Sequence, residues 1–149
     1  AAAHTHSTYG KAWSTLGRPL DPLTQDACSF YEDHALFDDF TGMVVDSSEG
    51  ERIAHALTKP DGGTHKGVIL KNHGILTAGP TLEAAAWWYI ALDNAAHTQL
   101  LAEAAGTPQP IDAATARHTH SQVGGQEGAL HAFESLYAGL VAAEPDVLD

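Results

Sequence analysis

One stretch constrains the fold more than any other. From Thr81 to about Ala105 the chain reads as a long helix, with Thr81 as N-cap after Gly79-Pro80 and Glu83 near the positive end of the dipole. Gly106 stops it and Pro108 lies beyond. Its first half, Ala84-Ala85-Ala86-Trp87-Trp88-Tyr89-Ile90-Ala91-Leu92, is apolar nearly all round. Such a helix has no solvent face and is covered on more than one side. A chain of 149 residues builds one ordinary core, so part of that cover is expected from another subunit.

Other elements follow from local pattern. Val68-Ile69-Leu70 is a buried strand by its continuous apolar, β-branched character. Asn72-His73-Gly74 interrupts it, and Ile75-Leu76-Thr77 resumes extended structure. Small residues leading into His4-Thr5-His6 suit a strand end. Ser7 is placed to cap a helix from about Thr8 to Leu16, with Tyr9, Ala12, Trp13 and Leu16 on one face and Gly17 as its αL stop. Pro19 and Pro22 mark a bend, and Thr24–Cys28 a short helix or turn. Gly42–Asp46 reads as a short strand. Ser48 and Glu51 have capping-box spacing ahead of the stripe Ile53, Ala54, Leu57, which Pro60 ends. Asp112 to about Val123 is a polar helix, Gly124–Gly128 a flexible link, and Ala129–Ala143 a final amphipathic helix. No repeat or internal boundary is visible, so residues 1–149 are read as a single domain.

Charge excludes some functions. The formal net charge is −12, with 19 acids against 7 bases and no lysine or arginine run. Nucleic acid and anionic membranes are therefore disfavoured as partners. No apolar run approaches the roughly 20 residues of a membrane span, and no basic-then-apolar leader opens the chain. The single cysteine, Cys28, has no partner within the chain; it reads as a small buried hydrophobe in a reducing, cytoplasmic setting.

Ten histidines carry the chemical signal. In a strand, residues i and i+2 share a face, so His4 and His6 can reach one ion. In a helix they diverge, which removes the look-alike pair His118 and His120. His73, followed by Gly74 at a strand end, supplies a third arm, and Gly74 lets the backbone approach a ligand closely. Three histidines with an open position are the usual shell of a catalytic zinc. On spacing alone, polar residues at a strand end and a satisfied turn histidine fit as well. His34, His55, His65, His97 and His131 read as solvated or capping, and the acids Glu32, Asp33, Asp38 and Asp39 as a solvated surface.

The motifs His4-Thr5-His6-Ser7, Phe40-Thr41-Gly42, Val68–Thr77 and Thr81-Leu82-Glu83-Ala84-Ala85, in that order and spacing, resemble the class II aldolase/adducin family over most of residues 1 to about 105. The resemblance implies an α/β fold, a three-layer α/β/α sandwich on a largely antiparallel sheet. It implies zinc at His4, His6 and His73, with manganese or another divalent ion as the alternative. It implies a lyase of aldolase type, acting on a small carbonyl or sugar-phosphate substrate through a metal-stabilised enolate. Related epimerases and decarboxylases share that chemistry, and a non-catalytic, adducin-like assembly module is the alternative from another class. Such a module is expected to lose the metal histidines. The family also implies a homotetramer and a proton-donating tail tyrosine, for which Tyr137 is the candidate, against an aromatic anchor of the last helix. The family's upstream region, with its catalytic acid and phosphate-binding loops, has no counterpart here. The chain is thus expected to be the C-terminal portion of an N-terminally truncated domain, with an open sheet edge.

Overall fold

Side-chain alternation on two short strands sets the layering. The computed structural model describes residues 1–42 and 47–148. Its sheet has four strands, β1 (Ala2–Thr5), β2 (His34–Phe37), β3 (Gly67–Leu70) and β4 (Gly74–Ala78), in the order β1-β4-β3-β2. Val68 and Leu70 point to one face with Leu76, while Ile69 and Ile75 point to the other. All four residues of β3 are buried, as expected for a strand covered on both faces.

Helices supply the two outer layers. On the Ile69 and Ile75 face lie α1 (Thr8–Ser14) and α3 (Leu82–Ala105), which contribute Trp13, Trp88 and Leu92 to the main core. On the opposite face α2 (Ser47–Leu57) brings Ile53, Ala56 and Leu57 against Phe37, Val68 and Leu70. The result is the expected α/β/α sandwich. Its pairings are antiparallel for β1–β4 and β3–β4 and parallel for β2–β3. Two further α-helices, α4 (Ala113–Val123) and α5 (Gln126–Ala143), follow, α5 lying along α3, and short 3-10 helices occupy Ala27–Phe30 and Pro145–Leu148.

Several local readings hold. Thr81 caps α3, its side chain accepting from the Ala84 N–H at 3.2 Å, and Gly106 follows the last turn. Asp112 caps α4 through the Ala114 and Thr115 N–H groups. Gly17 adopts φ +61° after α1. Trp88 is core, and Cys28 is fully buried, which pushes its thiol pKa up and makes it inert.

Others are corrected. Ser7 gives no side-chain cap to α1; its hydroxyl donates to Asp93 instead. Helix α1 ends at Ser14, two residues short of Leu16. Strand β2, unforeseen, pairs with β3 where the sequence reads as an acidic loop. Helix α2 already includes Ser47, so Ser48 lies inside it and not at its cap. Helix α5 starts at Gln126, because Gly124 and Gly125 suffice as the break. Apart from Gly42, the strand expected over Gly42–Asp46 lies outside the described residues.

Candidate metal centre

The antiparallel register of β1 on β4 builds the site. His4 stands opposite Leu76 and Thr5 opposite Ile75, so the next residue of the chain, His6, leaves the ladder level with the turn before Gly74. That turn carries His73. Asn72 takes the left-handed conformation at φ +61°, and the His73 N–H donates to the Leu70 carbonyl at 2.9 Å, aiming the imidazole back over the sheet end. Gly74 has φ +157°, and a Cβ there would lie 3.4 Å from the Thr5 carbonyl and 3.7 Å from His4 Cε1. Both are ordinary van der Waals distances, so glycine is favoured here by the backbone conformation of the turn and not by lack of space.

Three imidazoles converge. Ring centroids are 5.2 Å apart for His4 and His6, 4.9 Å for His4 and His73, and 4.9 Å for His6 and His73, with the planes 70–78° apart. One ligand nitrogen from each lies within 4.8 Å of the others. His6 Nε2 and His73 Nε2 are 2.9 Å apart, near the roughly 3.3 Å expected when two nitrogens bind one tetrahedral ion at about 2.0–2.1 Å. His4 Nδ1 donates to the Ile75 carbonyl at 2.8 Å, which leaves Nε2 as the lone-pair nitrogen. The donor set and its spacing therefore fit a divalent ion, and the His4 ring makes the N–H to carbonyl bond that metal-binding histidines normally have.

The surroundings favour the neutral form of His73. Burial, then its two histidine neighbours, lower its pKa, and Glu49 opposes them. Glu49 is 5% exposed and accepts from the Thr41 hydroxyl at 3.2 Å, while the Phe40 ring lies 6.3 Å from that of His73. The Phe40-Thr41 motif thus reaches the same sheet end as the histidines. Sequence reasoning missed Glu49 and took Glu51, two positions on, as the informative acid; the helical phase that turns Glu49 inward was the available signal.

Other predicted positions lie elsewhere. Tyr137 is 46% exposed on α5, stacked on Phe133, and shares a hollow of about 570 Å³ with Leu82 and Glu83 at the start of α3. That hollow adjoins the end of β4 remote from His73, so the chain does not bring Tyr137 to the histidines. His118 and His120 diverge on α4, and the His120 Nδ1 donates to the Cys28 carbonyl. Tyr9 stacks on His97 at 3.5 Å. Asp33 is not surface but 4% exposed, paired with Lys59 and with Lys66 at 2.9 Å. His34 is not a solvated ring; it bridges the Phe30 carbonyl and the Leu20 N–H, and burial lowers its pKa.

Comparison with known proteins adds an independent finding. A family model described as the class II aldolase and adducin N-terminal domain matches residues 1–100. The chain is 48% identical over 147 residues to the decarboxylase NovR of Streptomyces niveus, covering 99% of this chain and 53% of that protein. It is 47% identical, again over 147 residues, to a 4-hydroxy-3-prenylphenylpyruvate oxygenase/4-hydroxy-3-prenylbenzoate synthase of Streptomyces roseochromogenus subsp. oscitans, covering 99% of this chain and 51% of that protein. Among solved structures, an L-fuculose 1-phosphate aldolase from Glaciozyma antarctica PI12 superposes with a TM-score of 0.84 at 37% identity, covering 97% of this chain and 53% of that one. The chain thus spans about half the length of these relatives.

Proposed function

The chain belongs to the class II aldolase and adducin family, and from that premise we propose that it carries the metal centre of a lyase that breaks or forms a carbon–carbon bond beside a carbonyl. The observation that carries this reading is the convergence of His4, His6 and His73 within 4.8 Å. These three residues would hold a divalent ion, zinc first and manganese or another ion next, since three imidazoles suit several. When bound, the ion supplies Lewis acidity toward the substrate's carbonyl oxygen. The protein's own part is positional. The Ile75 carbonyl sets the His4 tautomer, the β3–β4 turn aims His73, and Phe40 forms a wall over it.

Two substrate readings follow from the relatives. A small carbonyl or sugar phosphate suits aldol cleavage, as the aldolase's name states for that protein. A 2-oxo acid suits decarboxylation, and the relatives at 47–48% identity are named as a decarboxylase and as an arylpyruvate oxygenase. That identity, over 99% of the chain, favours the decarboxylase side within the lyase class. Epimerisation uses the same polarised carbonyl. The adducin-like assembly role is disfavoured by retention of all three histidines. A tetramer in the cytoplasm, with Tyr137 donating a proton into a neighbouring copy's site, completes the proposal; no described helix is long and apolar enough to cross a membrane.

The test is metal content and activity together. The purified whole protein is expected to hold about one divalent ion per chain, and His73→Ala to lose it along with roughly 10³-fold or more of turnover, the several kcal/mol a Lewis acid supplies. Carbon dioxide release from arylpyruvates against aldehyde release from sugar phosphates separates the two chemistries. Metal content well below one per chain, unchanged by His73→Ala, would remove the enzyme reading.

A further inference from the structure

The three histidines are not held alike. His4 sits in the β1–β4 ladder and is tied through its own ring to Ile75. His73 is fixed by a tight turn closed on Leu70. His6 follows the last residue of β1, beyond the paired positions of the ladder, with no backbone pairing among the described residues. What borders it on both sides is helix α3. Thr5, before it, meets the Tyr89 phenol twice: its hydroxyl lies 2.7 Å away, and its carbonyl accepts from the phenol at 3.0 Å. Ser7, after it, lies 2.9 Å from the same phenol and donates to Asp93 Oδ1 at 2.7 Å.

Proton counting gives this network a direction. The Ser7 hydroxyl spends its one proton on Asp93, so its oxygen can only accept, and the single Tyr89 proton is shared between that oxygen and the Thr5 carbonyl. The Tyr89 oxygen in turn accepts from the Thr5 hydroxyl. The network thus ties Thr5 to Ser7 through the one phenol and ends on a carboxylate. Asp93 Oδ1 also accepts from the Gly10 N–H at 2.8 Å. It thus satisfies a first-turn donor of α1 that no side chain at that helix's own N-cap takes. Room for this depends on Gly10, where a Cβ would lie 2.6 Å from Ser7 Oγ. Tyr89 and Asp93 are four residues apart, on one stripe of α3.

We propose that Tyr89 and Asp93 are positioning residues of the metal centre, clamping Thr5 and Ser7 so that His6 meets the ion that His4 and His73 already face. This rests on the metal reading of the three histidines and adds to it that one ligand of the three is oriented by α3. Neither residue touches the ion's site. Their effect passes through the backbone on either side of His6.

The experiment titrates Co²⁺ into the whole protein after chelator stripping, reading affinity and the ligand-field bands, with apo melting curves run in parallel. Tyr89→Phe and Asp93→Ala are expected to weaken Co²⁺ binding by about 10–100-fold, the usual cost of losing an outer-shell partner, and to shift the bands. Asp93→Asn keeps an acceptor oxygen and is expected to recover most of the affinity, whatever it does to the melting temperature. Two results overturn the proposal while leaving the metal centre standing, provided His73→Ala abolishes binding. One is Tyr89→Phe and Asp93→Ala both binding within about twofold of the parent with unchanged bands. The other is an affinity loss that merely tracks the melting temperature and is not restored by Asp93→Asn. If the parent and His73→Ala bind Co²⁺ equally, the metal reading fails and this inference fails with it.

Discussion

The two ends of the sheet carry polar clusters of opposite plan. At the end where β3 hands over to β4, His4, His6 and His73 turn like groups toward one another, with two Nε2 atoms 2.9 Å apart. At the other end, where β2 and β3 begin, Asp33 is surrounded by unlike groups. Lys59 and Lys66 pair with it, His65 and His120 lie within 3.8 Å, and Lys66 also donates to the Ser29 carbonyl. The Asp33 carboxylate faces two ammonium groups, so the cost of burying its charge is offset locally, while the buried His65 Nδ1 has no hydrogen-bond partner among the described residues. The histidine cluster is complete only with a shared proton or cation, because facing lone pairs repel. Converging like donors call for a shared proton or cation, whereas unlike charges stabilise one another in place.

That contrast breaks most visibly at Asp33. Asp33→Ala leaves Lys66, 7% exposed, without its counter-charge, and is expected to destabilise the fold by about 3–5 kcal/mol in a denaturant titration. Metal affinity of the protein that remains folded should be unchanged. A loss of affinity without loss of stability would reverse the roles assigned to the two ends.

Acid should separate the ends next. Burial is the first cause lowering the pKa of His34, His65 and His73. The unfolded chain therefore protonates these rings first as pH falls below about 6.5. The stability tied to their neutrality is present above that value and lost as pH falls through their lower folded values. Metal should be released in the same mildly acidic window. For Asp33, burial raises the carboxyl but Lys59 and Lys66 outweigh it, so its folded pKa lies below the ordinary value. Its contribution is present above about pH 3.9 and lost only as pH falls through that lower value. Melting temperature and bound metal followed together should show two steps, of which Asp33→Asn removes the second. A single step would erase the distinction.

The smallest effect belongs to the metal end in stability terms. His73→Ala relieves a convergence of like groups, so the apo protein's stability should stay within about 1 kcal/mol of the parent by thermal melting, even as metal binding is lost. A collapse of the apo fold would make His73 structural.

Much of the fold was legible because its signals are local. Thr81 and Gly106 bound α3, Asp112 opens α4, and the apolar run of β3 announces a doubly covered strand. These depend on backbone satisfaction and side-chain period, which a few residues carry. Strand β2 was not legible, because His34–Phe37 follows an acidic stretch and acquires strand character only from parallel pairing with β3. Asp33 read as surface for the same reason: its neutralising lysines come from positions 59 and 66. At the candidate site the three histidines stood out by strand period and by resemblance. Their supports did not, since Tyr89 and Asp93 looked like parts of a buried helix and Glu49 like an ordinary first-turn acid.

The sequence by itself determined the elements with strong local signals, α3, α4 and β3 among them, and which histidines share a strand face. Those are properties of dihedral preference and of periods of 2 and 3.6 residues. Only the tertiary structure decided that His6 and His73, 67 positions apart, come within 2.9 Å, that α3 holds the residues on either side of His6, and that Asp33 is neutralised in place. Those outcomes depend on strand register and on the packing of a helix across a sheet end, and neither is written in any short stretch of chain.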